Sequence, residues 1–109
     1  MGTYAGRLAE TIRLNYATTT VSTAAFVQIL TACRTDVRSL EIFDTGGGEM
    51  ILAYGASGGE QTAMRTFPGG TSGPTPMLLN QGMRLALKVA ASSTPATVSS
   101  GVFIMNLYV

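Results

Sequence analysis

Few side chains in this chain can do chemistry, and the shortage narrows the field. There is no histidine. That removes the commonest general base, the commonest metal ligand and the side chain that titrates near neutrality. Cys33 is the lone cysteine, so no disulfide can close within the chain and a thiolate-rich zinc site has no ligands. Its neighbours Leu30, Thr31 and Ala32 predict a buried, inert thiol, because a reactive one needs positive surroundings. Gly55-Ala56-Ser57-Gly58-Gly59 matches the G-x-S-x-G pattern of a nucleophile elbow. An elbow needs a strand, a sharp turn, a helix and a base to take the serine proton. The histidine base is missing, and Gly58 and Gly59 start a helix poorly. A pairing of Ser57 with Lys88 is the one route left, and nothing in the sequence requires it. The segment is better read as a glycine loop.

The remaining candidates are weaker. Lys88 follows Leu87, so no Walker loop exists. Gly46-Gly47-Gly48 has no following helix to offer a phosphate. Asp36, Glu41, Asp44, Glu49 and Glu60 could supply a carboxylate pair or a calcium site. Asp44 and Glu49 flank one glycine run and are the pair best placed to converge, but a solvated hairpin tip is the simpler reading. The expectation is a protein with no catalytic, cofactor-binding or metal-binding residues, and so not an enzyme.

Charge points the same way. Arg7, Arg13, Arg34, Arg38, Arg65, Arg84 and Lys88 are scattered, and the net charge is +1. Nucleic acid needs basic residues close together to displace counterions. Arg34, Arg38 and Arg84 could assemble a patch only through folding, so no nucleic-acid partner is expected. The charged fraction is 12%, about half the usual share. Charge is depleted where a surface is buried against partner subunits, so an oligomer or larger assembly is expected. The N-terminus lacks the apolar stretch of a leader. Residues from Val89 onward are uncharged, but Ser92, Ser93, Pro95, Ser99, Ser100 and Gly101 break them as a membrane span.

The elements that would carry these residues read as strands. Ile12, Leu14 and Tyr16 alternate with Arg13 and Asn15, and Leu40 and Ile42 flank Glu41. Met50–Tyr54 is short, apolar and bounded by glycine. Met83, Leu85, Leu87 and Val89 alternate with Arg84, Ala86 and Lys88. Val102–Val109 puts Phe103, Met105, Leu107 and Val109 on one face and predicts burial on both. Thr62–Phe67 and Met77–Leu79 are shorter candidates. Phe26, Ile29, Leu30 and Cys33 have helical spacing, but the β-branched Val27, Ile29 and Thr31 favour a strand. Gly46-Gly47-Gly48 reads as a hairpin turn, Asn80-Gln81-Gly82 as a tight turn, and Gly55–Gly59, Pro68–Pro76 and Ser92–Gly101 as loops. Phe26, Phe43, Phe67 and Phe103 read as core. One chain of this length is one domain. The pattern predicts an all-β, single antiparallel β-sandwich, jelly-roll-like, of about seven to eight short strands. Residues 1–11, poorly patterned, would form an extended N-terminal arm anchored by Tyr4 and Leu8.

An order of features then carries a resemblance. Ser22-Thr23-Ala24-Ala25-Phe26 precedes a Leu40-Glu41-Ile42-Phe43 strand and a glycine run. Gly55-Ala56-Ser57-Gly58-Gly59-Glu60, Phe67-Pro68-Gly69-Gly70 and Gln81-Gly82-Met83-Arg84-Leu85 follow, and the chain closes on Asn106-Leu107-Tyr108. From about Val21 onward the chain resembles the small β-sandwich virion proteins of tailed bacteriophages, of the capsid decoration or cement kind. The resemblance implies a structural role in the virion, assembled in the host cytoplasm. It also implies contacts with the major capsid protein or other virion proteins, and a homo-oligomer, with a trimer favoured. It supplies no catalytic or ligand residues. A neck, tail or fibre-base component, or a loop-based carbohydrate- or calcium-binding module, are the alternatives.

Overall fold

The computed structural model describes residues 7–46, 49–55, 63–67, 70–91 and 96–109, with the backbone alone for 63–65 and 70–74. All regular structure among them is strand. In chain order these are β1 (Leu8–Asn15), β2 (Val21–Ser22), β3 (Val27–Leu30), β4 (Val37–Asp44) and β5 (Met50–Gly55). Then come β6 (Ala63–Phe67), β7 (Gly70–Leu79), β8 (Arg84–Val89), β9 (Thr97–Val98) and β10 (Val102–Tyr108).

The pairing is nested. The first strand pairs with the last, β2 with β9, β3 with β8, β4 with β7 and β5 with β6, all antiparallel. The chain is thus one long hairpin, wrapped so that β10 also pairs with β4 and β8 with β5. Wrapping yields a front sheet in the order β1-β10-β4-β7 and a back sheet in the order β3-β8-β5-β6. This is the jelly-roll arrangement of two packed antiparallel sheets, the fold class the alternation predicts.

The core lies between the sheets and follows the two-residue period. Phe103, Met105 and Leu107 of β10 are buried with their cross-strand partners Ile42 and Leu40 of β4 and Ile12 of β1. Leu85, Leu87 and Val89 of β8 face them from the back sheet, alongside Met50 and Leu52 of β5. The Phe67 and Phe103 rings meet across the sandwich with centroids 6.2 Å apart. Burying such side chains contributes about 1.5–3 kcal/mol each.

Several expectations change. Val102–Tyr108 is buried on one face only, and its other face is half-exposed. Pro68–Pro76 is not all loop, since β7 runs from Gly70 through Pro74 and Pro76. A proline cannot donate to a ladder, but β7 is an edge strand and needs donors on one side only. Gly46-Gly47-Gly48 is not a hairpin turn. β4 and β5 lie in different sheets and so are not the two arms of a hairpin, while Gly47 and Gly48 lie outside the described residues. Of the expected arm, Leu8–Thr11 belong to β1 and pair with β10, while residues 1–6, with Tyr4, lie outside the described residues. The ambiguous segment is strand β3. Its register slips between Gln28 and Leu30, so Val27 and Leu30, three apart, face Leu87 and Leu85 of the back sheet. A bulge of this kind imitates helical spacing.

Candidate functional site

Each residue singled out for chemistry has a structural position. Ser57 and its neighbours Ala56, Gly58 and Gly59 fall outside the described residues, as do Gly47, Gly48 and Glu60. Cys33 is buried, as expected. Its N–H donates to the Met83 carbonyl and its carbonyl accepts from Gly82 N–H. Gly82 has φ of 92° in the Asn80-Gln81-Gly82 turn, the positive value a type II turn requires at its third position. Burial, reinforced by Glu10, pushes the Cys33 thiol up to about 11. That keeps it protonated and unreactive at neutral pH.

The folding separates Asp44 from the role of a solvated tip. Asp44 ends β4 on the core face and is buried, whereas Glu49 is exposed. The Tyr16 hydroxyl donates to Asp44 Oδ1 at 3.0 Å, and Gly46 N–H donates to the same oxygen at 2.9 Å. Oδ2 is buried with no partner among the described residues. Burial therefore raises the Asp44 carboxyl above its ordinary value, although both donors pull the other way. The Tyr16 hydroxyl is raised as well, by burial first and by the Asp44 charge beside it. Gly46 is required here by space. A Cβ on it would lie 2.5 Å from Tyr16 Cε2 and from Val98 Cγ1. The cluster clasps the end of β1, the end of β4 and β9 at one pole of the sandwich. Among the described residues, no group of three His, Cys, Asp or Glu could hold a metal ion.

The basic candidates are divided between sheets. Arg38 is exposed on β4 of the front sheet and Arg34 on the preceding connection. Arg84 is on β8 of the back sheet, where it donates to Gln28 Oε1. Lys88 of the same strand holds its ammonium 4.9 Å from the Phe26 ring centroid, a cation–π distance. Phe26 is therefore a half-buried cover residue rather than core. The small Ala53–Ala86 pair at the centre of this outer face is buried. Among the described residues, the back sheet thus keeps the large apolar side chains of its outer face from full exposure.

The front sheet does not. Residues opposite one another across a ladder share a face. Leu8 pairs with Tyr108, Arg13 with Ile104 and Ile104 with Phe43, all pointing away from the core. Leu78 alternates with the buried Met77 and Leu79, so it points outward too. Three large apolar side chains stand exposed among the described residues, Leu8 at 56%, Phe43 at 38% and Leu78 at 77%. All three occupy this one face. Phe43 is accordingly surface, not the core residue its type suggests. A polar row crosses the same face. Thr11 Oγ1 donates to Asn106 Oδ1 at 2.8 Å, Asn106 Nδ2 to Glu41 Oε1 at 3.1 Å, and Tyr108 OH to Glu41 Oε1 at 2.9 Å. The row ties β1, β10 and β4 together. Alternation alone could have found Phe43 and Leu78, since each sits between inward neighbours. The polar row joins residues far apart in the chain and has no local signal.

No family model, no curated protein and no solved structure matches this chain. No helix among the described residues is long and apolar enough to cross a membrane.

Proposed function

We propose that this protein is a non-enzymatic structural subunit of a tailed-phage virion, acting as a capsid decoration or cement protein. It works by burying surface on neighbouring subunits rather than by chemistry. The observation that carries the reading is the outer face of the front sheet, where all three exposed large apolar side chains of the described residues gather. They stand singly on β1, β4 and β7, but all fall on the same face, with half-exposed Ile104 beside Phe43, and a sheet face so clothed is an interaction surface. The low charge of the whole chain accords with a subunit that makes several contacts. Jelly rolls recur in viral capsid domains, although they also serve lectins, so the fold supports the class without fixing it. A neck, tail or fibre-base position rests on the same surface logic. The calcium-binding module loses support because Asp44, its best ligand, faces the core and is already bonded to Tyr16 and Gly46.

The test joins genes to particles. Terminase, portal and major capsid genes are expected beside the gene for this chain. Shells assembled from that capsid protein should carry the chain with them in sedimentation, and Leu78→Asp should reduce the amount bound. A gene neighbourhood without virion genes, or shells that sediment without the chain, would overturn the proposal.

A further inference from the structure

We infer that the outer face of the front sheet is self-pairing. A second copy of this chain lies over β1, β10 and β4, face to face, about a two-fold axis that runs along β10, and leaves β7 outside the overlap. The charges on the face lead to this occupant. Arg13 lies on β1 to one side of β10, and Glu41 lies on β4 to the other. Arg13 makes no hydrogen bond or ion pair among the described residues. Glu41 accepts from Asn106 and Tyr108 but meets no cation among them.

A two-fold axis along β10 lays β1 of each copy over β4 of the other and keeps the rows in step. Arg13 shares its row with Ile104 and Phe43. It therefore faces Phe43 of the second copy, an arrangement suited to cation–π contact. One residue pair along the strand, about 7 Å away, it reaches Glu41 of that copy. Each dimer forms the Arg13–Glu41 pair twice. A face of one sign would repel its own image, whereas this one is complementary to it. Packing two sheets face to face about 10 Å apart is ordinary sandwich geometry.

Area sets the strength. Three overlapping strands about 4.8 Å apart and seven residues about 3.3 Å apart give a projected face of about 14 by 23 Å. That is well under half of the ~800 Å² each partner gives to a standard interface. The pairing is therefore weak, with dissociation in the micromolar range or above, and becomes strong where copies are held close together. The inference concerns the chain alone and does not depend on the virion reading.

Sedimentation equilibrium on the full chain, from micromolar to millimolar, tests it. The mass is expected to rise from one chain to two. Arg13→Glu and Glu41→Lys should each weaken association by about tenfold or more, because each sets like charges together twice. An equimolar mixture of the two variants should recover it, since a mixed pair has one native contact and one with both charges reversed. Glu41→Gln keeps an acceptor for Asn106 and Tyr108, and should weaken pairing even if Glu41→Lys fails to fold. A chain that stays monomeric, forms trimers, or dimerises with no response to Arg13→Glu overturns the inference. Shell binding is read in a separate assay, so either proposal can fail without the other.

Discussion

Replacing Tyr16 with Phe isolates one oxygen atom at the pole of the sandwich. The ring stays, so its packing beneath Gly46 and against Val98 is kept. Only the hydroxyl that donates to Asp44 Oδ1 at 3.0 Å is lost. Asp44 then keeps one donor, Gly46 N–H, while its other oxygen is already unpartnered among the described residues. A hydrogen bond to a charged group contributes about 1.5–3 kcal/mol, and one to a neutral group about 0.5–1.5 kcal/mol. The cost should therefore be about 1.5–3 kcal/mol while the carboxyl is ionised and smaller once it is protonated. For a domain near this size, that range corresponds to a fall in Tm on the order of 10 °C.

The sign of the pH effect follows from the same group. Burial raises the Asp44 carboxyl in the folded state, so the folded protein takes up a proton before the unfolded chain does. Asp44's contribution to stability is fully present below the ordinary carboxylate value and is lost as pH rises through the raised one. Removing the Tyr16 donor raises that carboxyl further and enlarges the loss at neutral pH. Urea unfolding of both proteins at neutral pH and near pH 4 measures this. A cost below about 0.5 kcal/mol at neutral pH, or one equal at the two pH values, would refute the reasoning.

Other consequences are simpler to check. Leu107→Ala opens a fully buried site beneath β10 and should cost about 2–5 kcal/mol by urea denaturation, with no pH dependence. Cys33 should resist a thiol reagent such as dithionitrobenzoate at neutral pH in the folded protein and react fully in denaturant, since its thiol is buried and raised to about 11. Deleting residues 1–11 removes Leu8–Thr11 from β1, so the truncated chain should lose stability by thermal melting rather than merely lose an arm. A serine-reactive fluorophosphonate should leave Ser57 unlabelled; labelling there would revive the nucleophile-elbow reading, with Lys88 as base.

How much of this was legible in the chain depends on the range of the signal. The strands of β8 and β10 were readable because period-two alternation is local, and the inward set Leu85, Leu87 and Val89 proved to be core. The bulge in β3 blurred the same signal, since one extra residue shifts the parity of those that follow. Pro74 and Pro76 concealed β7, because the tolerance of an edge strand for proline depends on neighbours that a local reading does not include.

The candidate site was less legible than the fold. Sequence alone determined that histidine chemistry and paired-cysteine chemistry lack their residues, because that follows from which side chains exist. Composition also determined that a weakly charged surface must cover the sandwich. Which side chains make that surface was decided only in three dimensions. Tyr16 and Asp44 lie 28 residues apart, and Thr11 and Asn106 lie 95 apart. Those meetings depend on the wrapping of the long hairpin, which pairs β1 with β10 from opposite ends of the chain. Strand pairing at such separation leaves no local trace, because its free energy arises from backbone bonds that any sequence can make and from core contacts that exist only after the sheets have packed.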